Sequence, residues 1–260
     1  MVWKHNLNPV FLHLGPVEIR YYGLFYVIGL IVAYLMLKHF SKKGELDLDD
    51  DDLLDFILYA ALGILLGSRI FYFIFYNFPL FLKNPLQLFY LWEGGMSFHG
   101  GVIGVAVAGI IFCKVKKKDF FEIADVVVLP LTLALALGRV GNFINGELYG
   151  RPTSLPWAMD FGDGVPRHPS QLYESAKNLF MFTVLWITKS KILPKGFRFW
   201  LFIFMYGALR FTIEFVREPD PQLGLLFLGL SMGQWLSSAM ILTGSSMLWR
   251  VFSSTTRKTV

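Results

Sequence analysis

Cysteine is nearly absent from this sequence of 260 residues, whose single cysteine is Cys113. One cysteine excludes an intramolecular disulfide, a CxxC redox pair and a cysteine-rich metal site. The histidines also lack the spacing of metal ligands: they stand at positions 5, 13, 39, 99 and 168. The sequence contains no GxSxG elbow, no HExxH and no P-loop. If the protein is an enzyme, its nucleophile is therefore expected to arrive on a substrate.

Charge is sparse as well, since only 17% of the residues are charged while 55% are hydrophobic and 17% are aromatic. A soluble domain has a higher charged fraction. The apolar runs reach the roughly 20 residues that a helix needs to cross a hydrocarbon core. The composition therefore indicates an integral membrane protein.

The apolar runs predict an all-α fold with seven transmembrane helices in a single polytopic domain, 1–260. The helices are expected at 21–40, 53–76, 96–113, 120–137, 170–188, 197–216 and 231–251. Residues 77–95 are apolar but interrupted by Pro79 and Pro85, so they are interpreted as an interfacial arm. An external loop is expected at 138–169.

Lysine and arginine predict the orientation, because cytoplasmic loops are enriched in both. They are concentrated in the segments 38–43, 114–118, 189–198 and 250–258. This side is expected to be cytoplasmic, with the N-terminus outside and the C-terminus inside. The first twenty residues lack an uninterrupted apolar core, so no cleavable signal is expected and the first helix should direct insertion.

Two other patterns have structural explanations. The acidic run DLDDDD at 47–52 lacks the glycine and closing glutamate of an EF-hand, so it is expected to cap the second helix. Gly63 with Gly67, and Gly100 with Gly104, are expected to mediate close helix packing.

Polar residues gather at one depth when residues are counted along the predicted helices at about 1.5 Å each. All are expected near the outer leaflet: Tyr22, Arg69, His99, Arg139, Asn142 and Arg210. The sixth predicted helix adds a polar stripe on one face, formed by Tyr206, Arg210, Glu214 and Arg217. Ionisable residues inside a membrane are costly, and they indicate either function or structural ion pairing.

Several arginines at head-group depth favour an anionic ligand, because a guanidinium binds phosphate through a bidentate fork. A phospholipid is the obvious candidate. Glycines at 138, 141, 146 and 150 would let the backbone approach it, and Asn142 and Asn145 would donate hydrogen bonds. The alternative is an ordinary Gly/Asn turn. His99, flanked by glycines, is either a general base or a structural hydrogen bonder.

Several distinctive segments occur along the chain. The longest is GRVGNFINGELYGRPT at 138–153. The others are YYGLFY at 21–26, GGMSFHGG at 94–101, RHPSQLYE at 167–174, YGALRFTIEFVREPD at 206–220 and SMGQ at 231–234. Together they closely resemble the sequences of bacterial prolipoprotein diacylglyceryl transferases, and the resemblance covers nearly the whole chain.

The resemblance implies transfer of the diacylglyceryl group of phosphatidylglycerol to the lipobox cysteine of a preprolipoprotein, with release of glycerol phosphate. It implies a bacterial cytoplasmic (inner) membrane location, and phosphatidylglycerol, membrane lipids and preprolipoproteins as partners, without nucleic acid. It calls for no metal and no soluble cofactor. The catalytic residues it implies are His99, Arg139, Arg210 and Tyr22. The phosphatidylglycerol site it implies contains Arg139, Asn142, Gly150, Arg210 and Tyr206. Supporting residues around this site are expected to be Glu147, Glu214, Arg217 and Arg69.

Two other classes remain open. A lipid or anion transporter would use the arginines as a midway binding site, but such folds usually show inverted repeats and broken helices, and neither is evident here. A membrane scaffold without chemistry would make the polar layer a packing network, and it should tolerate most Arg→Lys changes.

Overall fold

The computed structural model describes residues 2–15, 17–90, 94–189, 191–218, 224 and 226–256. The chain divides into two compact units. Unit 1 contains Met1–Met36 and Ala124–Val260, and unit 2 contains Leu37–Ile123. Helices α1 and α5 begin in one unit and end in the other.

The described residues are mostly helical. The helices are α1 Tyr21–Lys42, α2 Asp50–Phe75, α3 Phe78–Lys83, α4 Phe98–Lys116, α5 Phe120–Ile144, α6 Ser170–Thr188, α7 Phe197–Glu214 and α8 Met232–Thr256. Short 3-10 helices occupy Pro85–Phe89 and Phe227–Gly229.

Within the described part of the chain, four helices are long and apolar enough to cross a membrane: α1, α2, α4 and α5. Helices α6, α7 and α8 contain 19, 18 and 25 residues. They contain much of the buried polar surface of the chain, including Glu174, Lys177, Glu214 and Gln234. Buried polar residues lower the hydropathy of these helices although their lengths would suffice.

Among the described residues, five short strands accompany the helices, all of them in unit 1, and the all-α prediction did not include them. Strands β2 Val10–Leu14 and β3 Val17–Arg20 form an antiparallel hairpin directly before α1. Strand β1 Trp3–Lys4 pairs parallel with β4 Met159–Asp160, which pairs antiparallel with β5 Pro166–Arg167. Strands of two residues have no detectable alternation of apolar and polar side chains, so sequence periodicity misses them.

Unit 2 is built on a close contact between α2 and α4. A Cβ atom added to Gly67 would lie 2.3 Å from the Gly100 carbonyl oxygen, and one added to Gly104 would lie 2.0 Å from that of Gly63. Only glycine permits this approach of two helix backbones. The predicted packing role of the two glycine pairs is confirmed.

The acidic run also has the predicted capping role. The Asp49 side chain accepts a hydrogen bond from the Asp52 backbone N–H at 2.7 Å, at the start of α2. Lys116 at the end of α4 pairs with Asp52 at 2.8 Å and with Asp55 at 2.6 Å. These contacts join the start of α2 to the end of α4.

Helix α5 continues to Ile144, so the prediction of a helix end at 137 and a loop from 138 was wrong for residues 138–144. The glycines suggested a turn, yet Gly141 permits helix packing. A Cβ atom at Gly141 would lie 3.1 Å from the Tyr22 ring of α1. Arg139 and Asn142 therefore lie on the last turns of a helix.

The Gly104 contact predicts a selective loss of stability. Gly104→Ala should lower the thermal midpoint of the detergent-solubilised protein, because the new methyl group overlaps α2 backbone and overpacking costs about 1–3 kcal/mol. Gly109→Ala is the matched control on the same helix, since its Cβ atom would have only the Phe120 ring nearby, at 3.8 Å. Equal midpoints for the two variants would contradict the packing role.

Candidate active site

A fully buried carboxylate joins three helices of unit 1. Glu174 on α6 accepts a hydrogen bond from Lys177 Nζ at its Oε2, at 2.7 Å. The same Oε2 lies 4.0 Å from Arg139 Nε on α5, and Oε1 lies 3.2 Å from Arg210 Nη1 on α7. One carboxylate thus contacts a lysine and two arginines.

Lys177 extends this set towards α7. Its side chain is buried, and Nζ lies 4.0 Å from the centroid of the Tyr206 ring, a cation–π geometry. Tyr206, Arg210 and Glu214 of the predicted stripe therefore share one face of α7, as their spacing predicts. This face contacts the charged residues of α6.

Glu214 is the second buried carboxylate. Its Oε2 contacts Arg210 Nη1 and lies 3.9 Å from Arg217 Nε, while its Oε1 accepts a hydrogen bond from Ser231 Oγ at 2.8 Å. A Cβ atom at position 233 would lie 2.6 Å from Oε1, so Gly233 leaves room for this carboxylate. Arg210 on α7 and Arg217, which lies three residues beyond the end of α7 and so not on the helix as the stripe predicted, thus have Glu214 as a common partner.

Asn142 is held from two sides. Its Nδ2 donates to Glu147 Oε1 at 2.7 Å, and its Oδ1 accepts from Arg139 Nη1 at 3.4 Å. The Asn142 side chain is buried, whereas Glu147 is exposed. Glu147 therefore orients Asn142, which in turn contacts Arg139 one helical turn away.

Tyr22 lies in the first turn of α1, where its ring approaches α5 at Gly141. Its hydroxyl group shares a hydrogen bond with the Tyr26 hydroxyl at 3.1 Å. Tyr22, Arg139 and Asn142 therefore belong to the same helix pair.

Gly150 has a backbone role in the structure. Its N–H donates to the His168 carbonyl at 2.8 Å, and it forms an antiparallel bridge with Arg217. A Cβ atom there would lie 2.4 Å from the Val216 carbonyl oxygen. The adjacent Arg151 donates from Nε to the Arg217 carbonyl at 2.9 Å. Gly150 thus fixes the segment that carries Arg217.

These ionic contacts define the arginine cluster: Arg139, Glu174, Lys177, Arg210, Glu214 and Arg217. It contains four cations and two carboxylates, which leaves an excess of two positive charges. Arg217 Nη1 is buried and has no hydrogen-bond partner among the described residues. Burial, followed by the charges of Arg210 and Arg139, lowers the pKa of Arg217 to about 10, so it remains charged at neutral pH. The cluster is suited to an anion.

His99 and Arg69 belong to unit 2. His99 is exposed in the first turn of α4, two residues after Ser97, whose side chain caps that helix by accepting from the Gly100 N–H at 3.3 Å. Arg69 on α2 is only 2% exposed and donates to backbone carbonyls.

The sequence interpretation missed Glu174 and Lys177 as site residues. Glu174 is the last residue of the RHPSQLYE segment, but the sequence analysis predicts no role for it. Lys177 lies one helical turn further on. A charged pair at i and i+3 within an apolar helix was the available signal. Among the described residues, no group of three or more His, Cys, Asp or Glu side chains is placed to hold a metal ion.

Comparison with known proteins agrees with the segments described above. The sequence model of the family described as prolipoprotein diacylglyceryl transferase matches residues 9–250. Three proteins named phosphatidylglycerol–prolipoprotein diacylglyceryl transferase are similar over nearly their full lengths. The protein from Bordetella parapertussis is 49% identical over 252 residues, covering 95% of this chain and 96% of its own length.

The protein from Geobacter sulfurreducens is 48% identical over 245 residues, covering 93% of this chain and 94% of its own. The protein from Aeromonas salmonicida is 44% identical over 250 residues, covering 95% of this chain and 91% of its own. With a family match over most of its length and relatives of this similarity, the chain belongs to the prolipoprotein diacylglyceryl transferase family.

Proposed function

We propose that this protein transfers the diacylglyceryl group of phosphatidylglycerol to the lipobox cysteine of preprolipoproteins, the first step of lipoprotein maturation. The names of its relatives state this donor and acceptor class. The acceptor thiol forms a thioether bond to the glycerol carbon of the diacylglyceryl group. The bond between that carbon and the phosphate oxygen breaks, and glycerol phosphate leaves with the electron pair.

The excess positive charge of the arginine cluster is the observation that carries this proposal. Phosphatidylglycerol is a phosphodiester with one negative charge, and the leaving glycerol phosphate is a monoester that gains a second. Charge therefore grows on the phosphate as the carbon–oxygen bond breaks. Cations that are already in place stabilise such a transition state more than the ground state, and this difference accelerates the reaction.

Arg139 and Arg210 are proposed to hold the phosphate, because both share Glu174 as a partner and are thereby fixed relative to each other. Bidentate guanidinium binding would orient the phosphate for in-line departure. Asn142, Tyr22, Tyr206 and Gly150 complete the site in this proposal. Asn142 contacts Arg139, and Tyr206 orients Lys177.

Glu147, Glu214 and Arg217 are proposed to support these residues. Glu147 holds Asn142, and Glu214 joins Arg210 to Arg217. His99 is proposed either to accept the thiol proton or to position the donor lipid. Its exposure in the first turn of α4 supports access to a substrate.

In the membrane, we propose a single polytopic domain in which α1, α2, α4, α5, α6, α7 and α8 cross the bilayer. The N-terminus faces outwards, as the distribution of lysine and arginine favours. Helix α3 and the 3-10 helix Pro85–Phe89 would lie in the interface as the arm 77–95, of which 91–93 fall outside the described residues. Exposed Leu82, Leu86 and Phe89 support this arrangement. The proposed location is the bacterial inner membrane.

The direct test is an in vitro reaction of the purified protein with phosphatidylglycerol and a lipobox peptide. Mass spectrometry should show a diacylglyceryl thioether on the peptide, together with released glycerol phosphate. A peptide with serine in place of the cysteine should yield no adduct. Lipid binding without any adduct, under conditions where a known family enzyme reacts, would favour a transport or scaffold role.

Replacing Arg139 tests the phosphate clamp. Arg139→Lys should lower turnover by about a hundredfold or more, since a lysine ammonium lacks the planar bidentate fork. Arg198→Lys is the matched control, because Arg198 donates to the carbonyls of Thr188, Lys189 and Lys191. Near-normal turnover of Arg139→Lys, measured by peptide modification, would exclude the clamp.

Glu174→Gln tests the role of the shared carboxylate. Removing one partner of a buried ion cluster costs about 3–5 kcal/mol. The thermal midpoint of Glu174→Gln, measured in detergent micelles that contain phosphatidylcholine, should therefore be lower than that of the native protein. Phosphatidylglycerol should restore part of the loss, because a bound anion replaces the missing charge. Glu18→Gln, at an exposed ion pair with Arg20, should leave the midpoint unchanged. No loss in Glu174→Gln would contradict the ionic core.

The pH profile of His99→Gln distinguishes its two proposed roles. If His99 accepts the thiol proton, the loss of activity should shrink as pH approaches the thiol pKa of about 8.5, where thiolate forms without a base. A loss of equal size at every pH would instead assign His99 to lipid positioning. The assay is peptide modification between neutral pH and pH about 9.

A further inference from the structure

The buried arginine of unit 2 uses all of its hydrogen-bond donors on the backbone. Arg69 donates from Nε to the Leu88 carbonyl at 3.1 Å, from Nη2 to the Tyr90 carbonyl at 3.0 Å and from Nη1 to the Gly95 carbonyl at 3.1 Å. Two shorter contacts join Nη2 to the Gln87 carbonyl and Nη1 to the Gly94 carbonyl.

A guanidinium has five N–H donors, and these five contacts account for all of them. Its Cζ atom also lies 4.9 Å from the centroid of the Phe73 ring. A phosphate could bind Arg69 only by displacing a carbonyl group. Arg69 therefore differs from Arg217, which retains a buried Nη1 without a partner among the described residues.

The five carbonyls belong to two neighbouring pieces of chain. Gln87, Leu88 and Tyr90 lie at the C-terminal end of the 3-10 helix Pro85–Phe89, where the carbonyl dipoles attract a cation; the Gln87 carbonyl also accepts from the Tyr90 N–H at 3.1 Å. Gly94 and Gly95 follow in the segment that enters α4. One side chain thus joins the end of the arm to the start of the helix that carries His99.

Other contacts of α2 fix the same entry segment. The Ser97 N–H donates to the Ser68 carbonyl at 3.0 Å, so residues 68 and 69 both hold the backbone directly before His99. Gly94 and Gly95 have φ values of 74°, in the left-handed region that favours glycine. A Cβ atom at Gly95 would lie 2.6 Å from the Tyr72 ring. The segment therefore has little freedom of its own.

We propose that Arg69 is a positioning residue for His99. By holding the carbonyls at the end of the 3-10 helix together with those of Gly94 and Gly95, it sets the path of the backbone into α4 and thereby the place of the His99 imidazole. The consequence of this placement for catalysis rests on the proposed function, because His99 acts on substrate only if the transferase reaction takes place.

The first test measures the His99 environment without requiring activity. Native protein, Arg69→Lys and Arg198→Lys are treated with diethyl pyrocarbonate, and peptide mass spectrometry gives the modification rate of each histidine. A lysine has three donors, so it cannot satisfy five carbonyls. We expect the His99 rate in Arg69→Lys to change by about threefold or more while His13 and His39 change little. An unchanged His99 rate would overturn the proposal.

The second test is a double-mutant cycle on the transfer rate. Arg69→Lys should lower kcat by about tenfold or more in the native background but by about twofold or less in His99→Gln, with KM for phosphatidylglycerol little changed. Losses that multiply independently would overturn the proposal. If His99→Gln has no measurable activity, the modification rates alone decide.

Gly95→Ala provides a second variant if Arg69→Lys does not fold. It disturbs the same segment and leaves Arg69 intact, so it should change the His99 modification rate as well. An unchanged rate in this variant would show that the segment does not place His99. Failure of the native enzyme to transfer lipid, with the modification results as expected, would contradict the proposed function and leave the positioning role standing.

Discussion

A carboxylate buried inside a membrane protein requires cations beside it, and the organisation of unit 1 depends on this requirement at Glu174. The isolated charge would cost several kcal/mol in a medium of low polarity. Lys177, Arg139 and Arg210 meet the need from three different helices. Because each also contacts further groups, the requirement extends to Asn142, Tyr206 and Glu214. The cations then outnumber the carboxylates, and this imbalance is what makes the cluster suitable for an anionic lipid.

Different interactions stabilise the interior of each unit. In unit 2, α2 and α4 meet through glycines, and the contact is between backbones. In unit 1, α5, α6 and α7 meet through buried ions, with glycine contacts such as Gly207 against the Ser237 carbonyl supporting α7 and α8. Charged residues make α6 and α7 less apolar, whereas serine, threonine and glutamine lower the hydropathy of α8, so these three helices do not meet the composition of a simple membrane span. The charged residues of the arginine cluster therefore also lower the hydropathy of the helices that contain them.

Arginine has two distinct uses in this protein, and the number of occupied N–H donors separates them. Arg69 donates to five carbonyls and holds backbone in place. Arg217 and Arg210 contact carboxylates, and Arg217 Nη1 is buried without a hydrogen-bond partner among the described residues. The sequence alone treats these residues alike, since each is one arginine within or next to a predicted apolar helix. Only the positions of the acceptors distinguish a structural guanidinium from one available to a ligand.

The sequence by itself determined that the chain is a helical membrane protein, that α2 and α4 pack through glycines, and that Tyr206, Arg210 and Glu214 share a face. These features follow from local composition and helical periodicity, and both are properties of a single segment of the chain. The family was also evident from its sequence segments. The tertiary structure decided that Glu174 and Lys177 join Arg139 to Arg210, that α5 continues through Gly141, and that Arg69 serves the backbone. Each of these depends on contacts between segments far apart in the sequence, and a buried charge is satisfied by whichever groups the fold brings within reach.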